Sequence, residues 1–208
     1  MERKNNYLIQ ARQAKDRFLT YDQDALIRKF RLDADDTWLY PRMLGRIYRL
    51  HRKTGDLQYR DREIWRDGNS YGEVMTLLDL LCDSQEDRWI SGRWKNMQAF
   101  GLMFHQNLLE DGKDPFADWI DRDPDAFHRA CARLGAERIP GGDYGYGVEL
   151  FDGLKIGMLF WHGDEEFRPR LRILWDENAK MYVQAVIPQL SMWIGDNVRS
   201  GNVENLFV

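Results

Sequence analysis

The stretch VELFDGLKIGMLFW, residues 148–161, is the feature that most constrains the fold of this chain. Two runs rich in aliphatic and aromatic residues flank the dipeptide Asp152-Gly153, which is typical of a two-residue turn between antiparallel strands. Alternate apolar positions in the second run share one face of the predicted strand, namely Leu154, Ile156, Met158 and Phe160. The pattern predicts a β-hairpin, and further alternation over residues 171–175 extends it into a meander.

Periodic apolar residues and capping residues predict helices elsewhere in the chain. We predict helices over residues 5–19, after the N-cap Asp22, after a capping box of Ser70 and Glu73, from Trp94 to Leu108, between Asp123 and Gly135, and from Pro188. Shorter strands are predicted at 37–40, 46–51 and 57–59. Together these elements predict one α+β domain over residues 1–208. In it an antiparallel sheet, built from an N-terminal hairpin region and a C-terminal β-meander, packs against amphipathic helices.

Composition and charge argue against several classes of protein. No apolar run reaches the roughly 18 residues that a membrane helix needs, and residues 1–18 lack the apolar stretch of a secretion signal. The net charge of −4 argues against a broad nucleic-acid surface, although residues 1–66 carry 16 basic and 10 acidic side chains. The cysteines, Cys82 and Cys131, fall among core-facing helical positions, so we expect reduced thiols in a cytoplasmic protein.

The loop WHGDEEF, residues 161–167, is the first candidate for a functional site. Because predicted strands flank it, the simplest interpretation is a hairpin loop in which Gly163 takes a positive φ angle and the acidic side chains point into water. Imidazole and carboxylate groups also suit a metal or acid–base site, but the helical histidine pair of a strong zinc motif is absent. The third interpretation is a ligand or partner contact formed by Trp161, His162, Asp164, Glu165 and Glu166.

A glycine-rich segment and a mid-chain arginine are further candidates. GGDYGYG, residues 141–147, lacks the Lys-Ser/Thr pair and the following helix of a phosphate-binding loop, so we predict a flexible loop. Its Tyr144 and Tyr146 could form a lid over a ligand, and Arg93 could contact the same ligand or partner. The spaced aspartates over residues 121–125 lack the glycine and glutamate of a calcium loop. We therefore predict no metal site and no cofactor.

Two segments resemble a known protein family. WHGDEEFRPRLRILWDENA, residues 161–179, and RWISGRW, residues 88–94, are similar to segments of domain-of-unknown-function family 3786, found in bacteria and archaea. The order of elements resembles the family over about residues 5–200, with departures at Gly92 and Arg168. The resemblance implies no activity. Some relatives are joined to cysteine-rich iron–sulfur modules, and this chain lacks the four cysteines of such a cluster.

These observations favour a non-catalytic module that binds a small molecule or a protein partner. One alternative is a metal-dependent hydrolase in which His162 meets a residue from another segment, such as His51, His105 or Glu149. A second alternative, which rests on the resemblance, is an accessory protein for an iron–sulfur or corrinoid partner encoded separately. An acidic partner would then be attracted to Arg42, Arg46, Arg49, Arg52 and Lys53 if these residues share an exposed face. Alternation along a strand places Arg46 and Arg52 on one side and Arg49 on the other, so one uninterrupted basic row needs a bend or bulge.

Overall fold

The computed structural model describes residues 2–68, 71–100 and 115–183. The helices within these ranges are α1 Glu2–Phe18, α2 Gln23–Phe30, α3 Tyr71–Asp83, α4 Pro115–Arg122, α5 Pro124–Arg133 and α6 Ala179–Val183, with a 3₁₀ turn at Met97–Phe100. The strands are β1 Asp33–Ala34, β2 Trp38–Tyr40, β3 Arg42–Met43, β4 Arg46–His51, β5 Leu57–Asp61, β6 Ile64–Asp67, β7 Trp94–Lys95, β8 Glu137–Arg138, β9 Tyr144–Phe151, β10 Leu154–Trp161 and β11 Arg170–Asp176. The predicted α+β class with antiparallel strands and a C-terminal meander is confirmed.

The strands form two antiparallel sheets, where the sequence predicted one. The N-terminal sheet has the order β1-β2-β4-β5-β6, with β3 also paired to β4, and the C-terminal sheet has the order β7-β11-β10-β9-β8. The short strands β7 and β8 occupy both edges of the meander, so its ladder does not continue into the N-terminal strands. A backbone hydrogen bond of 2.9 Å from Leu44 N to Leu150 O connects the turn after β3 to β9.

The predicted hairpin between β9 and β10 is confirmed. Asp152 and Gly153 have φ angles of 46° and 82°, the positive values that suit a tight hairpin turn. The prediction of a loop over residues 144–147 is wrong, because these residues begin β9. The glycines there serve close packing. A Cβ atom on Gly145 would lie 2.2 Å from the carbonyl oxygen of Ile139, closer than these atoms can approach.

Helix caps and buried stripes follow the sequence pattern. The Asp22 carboxylate accepts a hydrogen bond of 3.0 Å from Ala25 N, and the Asp123 carboxylate accepts one of 2.9 Å from Ala126 N. The predicted stripe of α3 is buried, and its members are Val74, Leu77, Leu78 and Leu81. The helix predicted from Trp94 is wrong at its start, because Trp94 lies in β7. The remainder of that helix from residue 101, the cap residue Ser70 and the helix predicted from Pro188 lie outside the described residues.

The basic segment of residues 42–53 does not form one exposed surface. Arg46 lies in the interior, where its guanidinium is 3.3 Å from the buried carboxylate of Glu73. The Tyr48 hydroxyl donates to the same carboxylate at 2.8 Å, and burial beside it raises the pKa of Tyr48 well above its usual value. Arg52 forms an ion pair with Asp24 at 3.0 Å. The arginines of this segment therefore do not act as one basic surface, because Arg46 and Arg52 are already paired with carboxylates.

One cluster of buried apolar side chains contains residues from both sheets and from helices α1 to α6. Both cysteines belong to it as free thiols. None of the helices in the described ranges combines the length and the apolar character that crossing a membrane requires.

The cysteines provide a test of this core. Burial raises the pKa of Cys82 and of Cys131 to about 12. Because the thiolate is the reactive form, we expect iodoacetamide at pH 8 to label the folded chain at least ~100-fold more slowly than the chain in denaturant. As the pH rises, the thiols of the unfolded chain ionise before those of the folded chain. The protonated, buried thiols therefore favour the folded state fully below about pH 9, and this stabilisation is lost as the pH rises towards 12. Mass spectrometry of labelled protein measures the rates, and fast labelling of either native thiol would contradict the packing.

Candidate functional site

The loop that joins β10 to β11, residues 162–169, is held by backbone hydrogen bonds; we call it the acidic loop. The Asp164 carboxylate accepts from Glu166 N at 2.8 Å and from Phe167 N at 2.7 Å, while Asp164 N donates to Phe167 O at 2.8 Å. Glu165, Glu166 and Phe167 are exposed, with 68% of Phe167 accessible to solvent. The predicted hairpin loop is thus confirmed, and Asp164 is the residue that organises it.

Gly163 has a different role from the predicted one. Its φ angle is not positive, so the expected left-handed conformation is wrong. A Cβ atom at this position would lie 2.7 Å from Cδ of Pro169, closer than non-bonded carbon atoms approach. Glycine is therefore required because the two ends of the acidic loop pass close together, a contact that the sequence pattern does not reveal.

His162 connects the base of the acidic loop to α4 and β9. Its Nδ1 lies 2.7 Å from Oδ1 of Asp121 in α4, and its Nε2 lies 2.9 Å from the hydroxyl of Tyr144 in β9. The backbone N–H of His162 donates to the Asp143 carboxylate at 2.7 Å. When Nδ1 of the neutral ring donates to the Asp121 carboxylate, Nε2 accepts from the Tyr144 hydroxyl. Such an Asp–His–Tyr chain can orient an acid–base group, and here it also fixes the loop.

A second histidine–tyrosine pair lies beside the first. The Tyr146 hydroxyl is 2.8 Å from Nδ1 of His128 in α5, and the His128 ring stacks edge-on against Tyr144 at 4.4 Å. Burial and the charge of Arg138 lower the pKa of His128, while burial raises the pKa of Tyr146. Tyr144 and Tyr146 are two positions apart on β9, so their side chains share one face of the sheet. They form a packed cluster rather than the flexible segment that was predicted.

The other predicted site residues are distributed differently. Trp161 ends β10, half-buried, with the guanidinium carbon of Arg172 5.6 Å from its ring centroid. Arg93 forms an ion pair with Glu177, just beyond the other end of β11. A seven-residue strand is about 20 Å long, so Arg93 does not join the group around His162.

The described side chains around His162 do not form a metal-binding group. Across residues 2–68, 71–100 and 115–183, no group of three or more His, Cys, Asp or Glu side chains is placed to hold a metal ion. His162 is instead engaged with a carboxylate and a phenol, while His105 lies outside the described residues. The metal-dependent alternative receives no support from the described part of the chain.

Asp176 joins the two segments that carry the family resemblance. Its side chain is almost completely buried and accepts from Ser91 N at 3.2 Å, Gly92 N at 2.7 Å and Asn178 N at 2.9 Å. The Ser91 hydroxyl lies 3.0 Å from both carboxylate oxygens. Gly92 has a φ angle of 72°, which glycine adopts without strain and the expected aromatic residue would not. The mid-chain segment is therefore attached to the end of β11 by one carboxylate.

Replacement of Asp176 tests this connection. In Asp176→Ala the N–H groups of Ser91, Gly92 and Asn178 lose a shared buried acceptor, so we expect the free energy of unfolding to fall by about 2–4 kcal/mol. Asp176→Asn keeps one acceptor oxygen and should lose less. Urea denaturation followed by circular dichroism measures both, with the exposed Glu165→Ala as the control expected to change stability by less than ~0.5 kcal/mol. Equal stabilities for Asp176→Ala and the control would disprove the role.

Comparison with known proteins gives the chain its family. The model of the family described as "Domain of unknown function (DUF3786)" matches residues 22–187, which is most of the chain and includes both segments joined by Asp176. Neither the curated proteins nor the solved structures contain a significant match. The resemblance inferred from the sequence is confirmed, and the chain belongs to the DUF3786 family.

Proposed function

We propose that this chain is a non-catalytic module that binds a protein partner through the acidic loop. The observation that carries the proposal is the 68% exposure of Phe167 in a loop whose backbone is already hydrogen-bonded. A side chain presented from an ordered loop loses little conformational freedom on binding, because the loop was ordered during folding. Large apolar anchors of this kind contribute much of the energy of protein interfaces.

The charges around Phe167 specify the chemistry of the partner. Glu165 and Glu166 are exposed and form no ion pair with any residue in the described ranges. A partner that receives Phe167 in an apolar pocket, with lysine or arginine at the rim, would be complementary to this surface. Rim charges mainly accelerate association, whereas the buried aromatic group determines the lifetime of the complex.

The proposal also includes the cellular compartment and the domain organisation of the chain. Free, buried thiols are typical of a reducing compartment, which supports a cytoplasmic protein. The shared cluster of buried residues supports one domain that includes both sheets. A separately encoded iron–sulfur or corrinoid protein is one partner to test.

Site-specific photo-crosslinking tests the proposal. We expect a photoreactive phenylalanine analogue at position 167 to form a covalent adduct with one partner, and the same analogue at Ile64 to form none. Ile64 is 60% exposed on the other sheet and is therefore a matched control. With the purified partner, Phe167→Ala should weaken binding at least ~10-fold, mainly through faster dissociation.

A charge-reversal variant separates the contribution of Glu165 and Glu166 from that of Phe167. Glu165→Lys/Glu166→Lys should slow association and remove most of its dependence on salt, because attraction between opposite charges would be lost. The proposal is wrong if Phe167→Ala binds the purified partner as tightly as the unchanged chain, or if positions 64 and 167 give the same adduct.

A further inference from the structure

A second candidate binding site lies on the N-terminal sheet, outside the acidic loop. Arg49 of β4 contacts Trp38 of β2 and Trp65 of β6, with its guanidinium carbon 4.4 and 4.5 Å from the two ring centroids. We call these three residues the arginine slot. Tyr48 and Leu50, the neighbours of Arg49 in β4, are buried. Because side chains alternate along a strand, Arg49 points to the opposite, outer face of the sheet.

The guanidinium of Arg49 is held in place but not neutralised. Its Nε donates to Oε1 of Gln58 at 2.7 Å, and Nε2 of Gln58 donates to Asp67 at 2.9 Å, which orients the amide. Neither terminal nitrogen of Arg49 has a hydrogen bond to a described residue, and no described carboxylate lies within ion-pair distance. These nitrogens are not among the fully buried, unpartnered atoms, so both reach solvent.

A guanidinium without a carboxylate partner is unusual among the half-buried arginines in the described part of the chain. Each of the others forms an ion pair with a carboxylate; they are Arg17, Arg46, Arg52 and Arg88. Removal of a charge from water is unfavourable unless an opposite charge or hydrogen bonds replace the lost hydration. The indole faces supply part of this replacement to Arg49 through cation–π contacts. Two donor groups remain available at its outer edge.

We propose that the arginine slot binds a carboxylate. The terminal nitrogens of a guanidinium form a planar fork that matches the two oxygens of a carboxylate. Both indole centroids lie within 4.5 Å of the guanidinium carbon, so a ligand reaches the fork past aromatic surface, which suits a flat carboxylate better than a bulkier tetrahedral phosphate. A free organic acid and a glutamate side chain of another protein present the same group.

A titration of the whole chain tests the site. We expect sodium butyrate, at constant ionic strength set with chloride, to produce saturable NMR shifts of the Arg49 Nε–H and of the Trp38 and Trp65 indole N–H groups. Arg49→Lys keeps the charge but lacks the planar fork, so butyrate affinity should fall at least ~10-fold. Arg60→Lys is the control. Arg60 lies on the neighbouring strand β5, pairs with Glu63 at 2.7 Å and should not affect binding.

Two further probes define the ligand. A capped peptide with a single glutamate that binds at least ~10-fold more tightly than butyrate would indicate a protein carboxylate, and comparable or weaker binding would indicate a small acid; both results support the site. The proposal is overturned if butyrate gives no saturable shift, if Arg49→Lys binds it equally well, or if inorganic phosphate binds as tightly as butyrate. Because the readout is at Arg49, these results are independent of the acidic loop.

Discussion

Pairing between β9 and β10 is the interaction on which the rest of the structure depends. The two strands are in register from the pair Leu154–Phe151 to the pair Phe160–Tyr144, with one irregularity near the turn. β10 also pairs with β11, and the acidic loop follows directly from that second pairing. The N-terminal sheet is connected to β9 through the backbone of Leu44. A shift of one residue in this register would move every side chain of β10 to the opposite face.

Aspartates account for much of the order in the described loops. Asp164 holds the acidic loop, Asp176 holds the mid-chain segment, and Asp35 accepts from the backbone of Thr37 at 2.7 Å and Trp38 at 2.8 Å. A carboxylate that accepts backbone N–H groups satisfies donors that a loop would otherwise expose or bury without partners. These acidic residues therefore have a structural use, and an acidic cluster in this sequence is not by itself a sign of metal binding.

The two surfaces we propose for binding have opposite charge but share one principle. Phe167 is presented by a loop that hydrogen bonds hold in place, and Arg49 is presented by two indole rings. In both cases the group left for an external ligand is ordered before the ligand arrives, which reduces the entropic cost of binding. Neither proposed surface includes Asp121, His162 or Tyr144, because the side chains of these residues are hydrogen-bonded to one another.

The sequence by itself determined the hairpin at Asp152-Gly153, the caps at Asp22 and Asp123, and the loop after β10, because residues a few positions apart decide each of them. It misplaced residues 144–147, since glycines that permit close packing in a sheet resemble those of a flexible loop. Only the tertiary structure decided the partners of His162 and Asp176, which lie 41 and 85 residues away along the chain. The arginine slot likewise draws side chains from three strands. No sequence period connects such positions, because packing between whole elements brings them together.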